Sequence, residues 1–249
     1  MLETRHLHAG YDARTVLRDV SLAFERGTLT AVIGLNGCGK STLLKTLLGI
    51  LPPKSGEVVL DGTPLTTLKP TTVARKLAYL SQGGAIPAMT VGQLVLHGRF
   101  AHLHYPRRYR ESDRTAAKAA MAQLGITELA DAPLSTLSGG TRQKAYLAMA
   151  LASEADYFLL DEPATYLDVP HQLDLMHRLT ALKHDGKGIV AVMHDLPMAL
   201  TFADRVVLIG NGTIIADDTP ESLCATGILD TTFGVTIKHT DNTYHLHLK

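Results

Sequence analysis

A glycine-rich loop between an apolar strand and a helix constrains this chain more than any other feature. Residues 30–50 read TAVIGLNGCGKSTLLKTLLGI, and residues 34–41 follow the pattern G-x-x-x-x-G-K-S. The apolar run before the loop predicts a buried strand, and the apolar spacing after it predicts an amphipathic helix. Three glycines allow the backbone to curl so that successive N–H groups face one anion at the positive end of the helix. In this context the loop predicts a phosphate site.

Two side chains of the loop add a charge and a metal ligand to this cradle. Lys40 is placed to pair with the β and γ phosphates of a nucleotide, and the hydroxyl of Ser41 can ligate Mg²⁺. A glycine-rich turn with a chance Lys-Ser pair is the alternative, and it leaves the agreement of strand, loop and helix unexplained. The residues predicted to contact the nucleotide are Gly34, Leu35, Asn36, Gly37, Cys38, Gly39, Lys40, Ser41 and Thr42.

Two adjacent carboxylates, Asp161 and Glu162, come directly after YFLL, which reads as a buried strand. Burying like charges is costly unless something compensates them. We predict that Asp161 is compensated by the Mg²⁺ held at Ser41, and that Glu162 polarises the attacking water as a general base. Acids that simply face solvent at a strand end are the alternative, and the phosphate loop upstream makes it the poorer one.

A second glycine pair starts another helix. Ser138, Gly139 and Gly140 stand immediately before a strong helical pattern in LSTLSGGTRQKAYLAMALA. A serine N-cap with free N–H groups behind it is an anion site, although an ordinary capped helix start explains the same residues. The phosphate loop already accounts for one nucleotide. We therefore consider that this serine-glycine turn (residues 138–140) contacts a nucleotide bound to another copy of the chain.

Composition excludes several classes of protein. Lysine plus arginine equals aspartate plus glutamate at 24 each, so no bulk basic field is present to hold nucleic acid. The apolar runs are shorter than the ~20 residues that cross a bilayer, no signal peptide is visible, and the two cysteines of the chain do not make a disulfide framework. We expect a soluble cytosolic protein that serves a membrane, if it does so, as a peripheral partner.

The order of elements indicates the fold class. The N-terminal third reads as short strands around one helix, residues 90–152 are helical, and strands and helices alternate after that. Such alternation predicts an α/β protein with a mainly parallel sheet covered on both faces and a helical insertion midway.

Taken together, these motifs and their order resemble those of the ATP-binding subunit of an ABC transporter, and the resemblance extends over nearly the whole chain. LSGGTRQ matches the family signature and departs from its commonest form only at Thr141. Gln82 in YLSQ, Asp168 in YLD and His194 in VMHD match the family's glutamine switch, D-loop and switch histidine, and Tyr11 matches the aromatic residue that stacks on adenine. A histidine facing water at a strand end and a tyrosine in a turn are the plain alternatives for His194 and Tyr11.

The resemblance implies a P-loop NTPase fold with a RecA-like core, an N-terminal antiparallel β part and an inserted helical subdomain. It implies a single domain over residues 1–249, with the core at about 1–86 and 153–249 and the helical subdomain at about 87–152.

The resemblance also implies a head-to-tail homodimer with two ATP molecules and Mg²⁺ between the subunits. ATP would close the dimer, and hydrolysis would reopen it. The roles implied are catalysis by Glu162, His194, Gln82 and Lys40; metal binding by Ser41, Gln82 and Asp161; and nucleotide contacts by Tyr11, the loop residues given above and Asp168, completed by Ser138, Gly139 and Gly140 of the other copy.

The stretch TYLD followed by HQ, and LVLHGRFAHLHYPRR after the switch glutamine, resemble the subgroup of bacterial importers that take up iron-siderophores, with haem and cobalamin importers as close relatives. Ala164 departs from the threonine often found there. In such importers two ATPase copies lie at the cytoplasmic face of the inner membrane beneath two permease subunits, fed by an extracytoplasmic binding protein. Residues 90–132 would then receive the permease. Arg99, Arg107, Arg108 and Arg110 are expected either to help at that surface or to form a solvated basic loop.

Other classes remain open at this point. A soluble ABC ATPase of DNA repair or translation usually carries two ATPase units or a long coiled-coil insertion, and this chain has neither pattern. An exporter ATPase differs only in the subgroup features, while a P-loop kinase gives LSGGTRQ and His194 no role. In the tail, His245 and His247 share one face of a predicted strand, where a solvated edge strand explains them better than a metal site.

Overall fold

The computed structural model describes residues 1–81, 85–165, 167–240 and 243–248. The strands are β1 (Leu2–Tyr11), β2 (Arg14–Phe24), β3 (Leu29–Ile33), β4 (Ser55–Leu60), β5 (Thr63–Pro64), β6 (Leu77–Leu80), β7 (Tyr157–Asp161), β8 (Gly188–Val192), β9 (Arg205–Gly210), β10 (Thr213–Asp218), β11 (Val235–Thr240) and β12 (Thr243–Leu248). The helices are α1 (Lys40–Leu47), α2 (Pro70–Lys76), α3 (Val91–His97), α4 (Glu111–Gln123), α5 (Gly139–Ala152), α6 (Val169–His184), α7 (Leu196–Phe202), α8 (Pro220–Thr226) and α9 (Ile228–Phe233).

A mainly parallel sheet forms the centre of the molecule, with the strand order β10-β9-β3-β8-β7-β6. Neighbours from β9 to β6 pair in parallel, and only β10 runs antiparallel to its neighbour β9. Strands β3, β7 and β8 are buried at every residue, which is why they read as unbroken apolar runs. The sheet confirms the predicted α/β class. It also brings the carboxyl ends of β3, β7 and β8 to one edge, where α/β proteins bind ligands.

A smaller antiparallel sheet of β2, β1, β4 and β5 covers one face of the central sheet. Helix α1 lies between the two sheets, since its side chains Leu43, Leu44 and Leu47 are fully buried in a core shared with both. This burial holds the first turn of α1 rigidly beneath the glycine-rich loop. The expected N-terminal antiparallel part is therefore present.

The helical segment of α3, α4 and α5 packs into the other core of the molecule. Val91, Ala120 and Ala148 from these helices share one hydrophobic cluster with Leu160 and Ala191 of the central sheet. Helix α4 begins at Glu111, where Asp113 accepts a hydrogen bond from the backbone N–H of the N-cap residue Arg110 at 2.9 Å. The division into a core and a helical subdomain at 87–152 remains a prediction.

None of the helices in the described part of the chain combines the length and the hydropathy needed to cross a membrane. In the C-terminal hairpin of β11 and β12, His245 and His247 are both exposed. Within the residues that the structure describes, no three histidine, cysteine or acidic side chains gather into a metal site.

Candidate active site

The phosphate loop (residues 34–42) has a backbone that only glycine can supply at two positions. Gly34 has φ +149, and a β-carbon there would lie 2.2 Å from the carbonyl oxygen of Ile209. Gly39 has φ +116, and a β-carbon there would meet the side chain of Leu17 at 2.6 Å. The loop is therefore pressed against β9 and β2, while Leu35, Asn36 and Gly37 at its tip are exposed.

The ammonium group of Lys40 lies inside the curve of the loop. Its side chain is buried, and Nζ donates hydrogen bonds to the carbonyl oxygens of Gly34 at 2.8 Å and Leu35 at 3.1 Å. These bonds offset the cost of burying the charge and orient the group toward the mouth of the loop. The third donor of the ammonium faces Sγ of Cys38 at 4.0 Å, a weak acceptor that a phosphate oxygen can replace.

Ser41 and Asp161 meet across two elements, as the sequence predicts. Ser41 in the first turn of α1 donates its hydroxyl to Oδ1 of Asp161, at the end of β7, over 3.1 Å. Asp161 is only 5% exposed. Burial raises the pKa of its carboxyl above the usual range, the hydrogen bond from Ser41 opposes that rise, and the neighbouring charge of Glu162 adds to it.

This pair of oxygen groups fits a divalent cation. Mg²⁺ prefers hydroxyl and carboxylate oxygens completed by water and phosphate oxygens. The raised pKa also shows that Asp161 lies where a negative charge is poorly compensated by the protein alone. The chemistry of the donor set thus fits the predicted metal.

Glu162 follows Asp161 with its carboxylate held on both oxygens. Oε1 contacts Nε2 of His194 at a short hydrogen-bond distance, and Oε2 accepts the hydroxyl of Thr165 at 3.2 Å. The backbone of Glu162 has φ +52, a conformation that side-chain-bearing residues rarely adopt, and its N–H donates to the carbonyl of Val192 at 3.1 Å. Strand β8 therefore fixes the turn that carries this acid.

These residues surround one cleft of about 680 Å³. It is lined by Tyr11, Asp12, Ala13, Arg14, Val16, Asn36, Gly37, Gly39, Lys40, Ser41, Thr42, Glu162 and His194. The ring of Tyr11 is 43% exposed at the rim, with Nζ of Lys45 lying 5.9 Å from its centre. An exposed aromatic face beside a phosphate cradle is suited to stacking on a base.

The serine-glycine turn is not among the described residues that line this cleft. Ser138 and Gly139 are exposed, and the hydroxyl of Ser138 caps α5 by accepting the N–H of Thr141 at 3.3 Å. Gly140 faces His171 so closely that a β-carbon would lie 2.6 Å from its ring.

Asp168 caps α6, accepting the N–H of His171 at 3.2 Å, and its side chain is largely exposed. Its contacts in this single chain are therefore local.

Two predicted contributors have different outcomes. Gln82 lies outside the described residues, so its assignment to catalysis and the metal remains a prediction. Arg99, expected at the permease-facing surface or in a solvated loop, is instead buried: it donates to Asp113 at 3.2 Å, to the carbonyl of Ala152 at 2.8 Å and to Glu154 at 2.7 Å. The expectation of a surface role for Arg99 is wrong, because three acceptors on neighbouring elements draw its guanidinium inward.

Sequence reasoning did not identify Tyr79 and Thr165. Tyr79 on β6 lies near Asp161, and burial together with that carboxylate raises the pKa of Tyr79 to about 12. Thr165 holds Glu162, as described above. The sequence offered only local signals for these two residues. Tyr79 carries a hydroxyl near the end of a buried strand, and Thr165 follows Glu162 by three residues, which a turn can place beside the acid.

Known proteins with similar sequences are transporter ATP-binding proteins. The chain is 39% identical over 236 residues to the ferric enterobactin transport ATP-binding protein FepC of Escherichia coli (strain K12), covering 94% of this chain and 87% of that protein. It is 38% identical to the iron(3+)-hydroxamate import ATP-binding protein FhuC of Bacillus subtilis (strain 168), with 94% and 88% covered. The hemin import ATP-binding protein HmuV of Nocardia farcinica (strain IFM 10152) is 39% identical, with 87% and 75% covered.

Solved structures agree with this relationship. An ABC transporter described as metal-chelate type, in an inward-facing conformation, matches with a TM-score of 0.83 and 26% identity over 99% of this chain and 95% of that one. A dimeric ATP-binding cassette in a post-hydrolysis state with ADP and phosphate matches with a TM-score of 0.77 and 25% identity, over 88% and 99%.

A family model supplies the most direct assignment. The model for ABC transporters matches residues 17–165, which run from β2 through the phosphate loop and the signature to the acids at the end of β7. That match covers more than half of the chain and includes the cleft residues from Asn36 to Thr42 together with Glu162. The chain therefore belongs to the ABC transporter family, as a nucleotide-binding subunit that hydrolyses ATP.

Proposed function

We propose that this chain is the energy-coupling ATPase of an importer for iron-siderophore complexes. The observation that carries the proposal is the convergence of Lys40, Ser41, Glu162 and His194 on one cleft, with Asp161 bonded to Ser41, while Ser138 and Gly139 are exposed and do not line that cleft. The cargo class is supported by the relatives, since FepC and FhuC are named for ferric enterobactin and iron(3+)-hydroxamate.

The residues of the cleft divide the work of hydrolysis between them. Lys40 and the N–H groups of the phosphate loop bind the β and γ phosphates of ATP. Ser41 and Asp161, with Gln82, would hold Mg²⁺, which supplies positive charge to the phosphate oxygens when bound.

Glu162 orients a water molecule and accepts its proton as the water oxygen bonds to the γ phosphorus. The bond from that phosphorus to the β–γ bridging oxygen breaks, leaving ADP and phosphate. His194 and Thr165 each hold one carboxylate oxygen of Glu162, which keeps the carboxylate oriented toward the water.

Two copies of the chain complete the sites. In the proposed head-to-tail dimer, Ser138, Gly139 and Gly140 of one copy cover the phosphates bound to Lys40 of the other, and Tyr11 stacks on adenine. The exposure of the turn supports this arrangement, as does the dimeric state of the similar cassette that was solved with ADP and phosphate. The dimer lies at the cytoplasmic face of the membrane beneath two permease subunits, which receive cargo from an extracytoplasmic binding protein.

A complementation experiment tests the shared sites. Ser138→Arg places a bulky cation in the turn, and Lys40→Ala removes the charge from the phosphate loop, so each variant alone is expected to be inactive. A mixed dimer contains one composite site with an intact Lys40 and an intact Ser138, so mixing is expected to restore part of the ATPase activity. Absence of activity in verified mixed dimers contradicts sharing of sites between copies.

Uptake measurements test the cargo. Deletion of the gene in its host is expected to abolish uptake of radiolabelled iron given as a ferric siderophore, and the wild-type gene is expected to restore it while Glu162→Gln does not. A parallel arm with hemin is included because HmuV, a hemin import protein, is 39% identical. Loss of hemin uptake with unchanged siderophore uptake would reassign the cargo.

A further inference from the structure

A glutamine of the signature helix reaches the turn that carries the catalytic acid. Gln143 lies on α5, and its Nε2 donates a 2.9 Å hydrogen bond to the backbone carbonyl of Pro163. Pro163 is the residue directly after Glu162. The helix that begins at the serine-glycine turn is thus bonded, within the same chain, to the backbone beside the general base.

The geometry of that turn makes the Pro163 carbonyl a sensitive point. Residues 162–165 form a tight turn closed by a 3.2 Å hydrogen bond from the N–H of Thr165 to the carbonyl of Glu162. The proline ring fixes φ at the second position, so ψ of Pro163 aims its carbonyl and, together with the torsions of Ala164, places Thr165. Because Thr165 holds Oε2 of Glu162, whatever holds this carbonyl also sets the direction of the acid.

The other end of the connection lies at the serine-glycine turn. Gln143 follows Gly139 and Gly140 by four and three residues, so all three lie on one face of α5 within the first turns of the helix. At a rise of about 1.5 Å per residue, the backbone of Gln143 begins only about 6 Å along the axis from the turn. A shift or rotation of the helix start that follows phosphate binding therefore reaches Gln143 directly.

A second glutamine provides an internal comparison. Gln172 of α6 donates from Nε2 to the carbonyl of Ala164 at 3.2 Å, so the next carbonyl of the same turn is held from another helix. Both glutamines are half-buried and use the same amide donor. The difference that matters for coupling is where their helices begin: α5 begins at the serine-glycine turn, whereas α6 is capped by Asp168.

We propose that Gln143 is a positioning residue that couples the two nucleotide sites of the dimer. The proposal rests on the proposed sharing of sites between copies. A phosphate held by the serine-glycine turn belongs to the partner's nucleotide, and α5 transmits its presence through Gln143 and Pro163 to Glu162 of the chain's own site. Each site thereby acquires an aligned base only when the other site is occupied.

The test compares Gln143→Met with Gln172→Met, since methionine keeps the length of the side chain and removes the amide donor. For Gln143→Met we expect the Hill coefficient of ATP hydrolysis to fall from about 2 toward about 1, the maximum being the number of coupled sites. The affinity for ADP, which lacks the γ phosphate, is expected to stay within about twofold of wild type in equilibrium binding. Gln172→Met is expected to keep the cooperativity of wild type.

A third variant distinguishes loss of the amide donor from a general disturbance of the structure around residue 143. Gln143→Lys keeps a donor that can reach the Pro163 carbonyl, so it is expected to retain cooperativity where Gln143→Met loses it. Wild-type cooperativity in Gln143→Met, or an equal loss in Gln172→Met, overturns the coupling role.

The outcome is separable from that of the proposed function. If Ser138→Arg and Lys40→Ala complement each other and wild type is cooperative, an unchanged Gln143→Met refutes the coupling alone. If the two variants fail to complement and wild type is not cooperative, the shared-site arrangement and the coupling fall together.

Discussion

Helices α1 and α5 both begin directly after glycine-containing turns, and their surroundings differ. The phosphate loop before α1 is pressed against β9 and β2, contains the buried Lys40 and lies beside Asp161. Ser138 and Gly139 of the serine-glycine turn are exposed, and the described hydrogen bonds of the Ser138 hydroxyl are to Thr141, three residues later. One turn is enclosed by its own chain, whereas the other presents itself outward.

This difference matches the proposed division between a site that one chain forms alone and a surface that a second copy would complete. A phosphate in the loop before α1 meets a lysine, a hydroxyl and a carboxylate of the same chain. Under the proposed arrangement, a phosphate at the serine-glycine turn would meet backbone N–H groups and one hydroxyl, and the partner copy would supply its remaining contacts. If this division holds, substitutions around the phosphate loop change hydrolysis and nucleotide binding, whereas substitutions in the helical segment change stability.

The largest effect is expected at the acid beside the first site. Glu162→Gln keeps the shape of the side chain and removes its basicity, so kcat for ATP hydrolysis is expected to fall ~10²–10⁴-fold. ATP binding is expected to persist, and the variant is expected to elute as a dimer with ATP. Steady-state hydrolysis and size-exclusion chromatography check both, with the exposed Glu128→Gln as the control. Wild-type turnover in Glu162→Gln removes this residue as the base.

The next effect concerns the support of α5. Arg99 joins Asp113 of α4 to the last turn of α5, and Asp113→Asn leaves a buried guanidinium with one carboxylate fewer. We expect a loss of about 3 kcal/mol in the free energy of unfolding at pH 7, the lower end for breaking a buried pair, because Glu154 still faces Arg99. Urea unfolding measures it. Asp174→Asn, in a more exposed pair with Arg178 and Lys144, is the control and is expected to cost less than about 1 kcal/mol.

The same pair predicts a pH dependence. The backbone N–H of Arg110 and the guanidinium of Arg99 hold the pKa of Asp113 below its usual range. A lowered pKa in the folded state contributes stability that is present above the unfolded value of about 3.9 and is lost as the pH falls through the folded value. The difference between wild type and Asp113→Asn is therefore expected to be full at pH 7 and to shrink below about pH 4. A difference that stays constant down to pH 3 contradicts this account.

A smaller effect is expected from the lysine of the loop. Lys40→Ala removes charge-assisted hydrogen bonds to phosphate, which corresponds to about 10–100-fold weaker binding of ATP. Binding of adenosine, which has no phosphate, is expected to be unaffected. Equilibrium binding of both ligands measures the contrast, and Lys118→Ala on the exposed face of α4 is the control. Equal losses for ATP and adenosine would show that the lysine acts on the fold instead.

The smallest effect is expected at the rim. Tyr11→Leu removes an aromatic face, and a stacking contribution of about 0.5–1.5 kcal/mol corresponds to roughly 2–10-fold weaker ATP binding. Tyr11→Phe keeps the ring and is expected to bind ATP as wild type does. Competition binding distinguishes the two, and equal affinity of Tyr11→Leu and wild type would remove Tyr11 from the base site.

Contiguous motifs made much of the site predictable. The residues of the phosphate loop follow one another in sequence, so the spacing of glycine, lysine and serine states the local geometry almost completely. The pair Asp161 and Glu162 was equally visible, because two acids after an apolar run demand compensation. The contact between Ser41 and Asp161 at 3.1 Å confirms that these two motifs meet.

Other contacts depended on which strands became neighbours. Tyr79 lies near Asp161 because β6 pairs with β7. The four residues of β6 do not by themselves predict which strand will be its neighbour. Arg99 looked like one of several basic residues in a polar stretch, and only the meeting of α4 with the end of α5 made it a buried ion pair. Gln143 and Gln172 are ordinary helical glutamines until α5 and α6 are placed on either side of the turn at 162–165.

The sequence by itself determined the class of fold, the phosphate loop, the paired acids and the family. Each of these follows from the spacing of residues within a short segment or from the pattern of apolar residues along one strand or helix. Only the tertiary structure decided that Thr165 and His194 hold Glu162 from both sides, that Arg99 is buried and that Gln143 connects α5 to the turn that carries Glu162. Hydrogen bonds act over about 3 Å, so side chains distant in sequence become partners only after the packing of sheets and helices has set their positions.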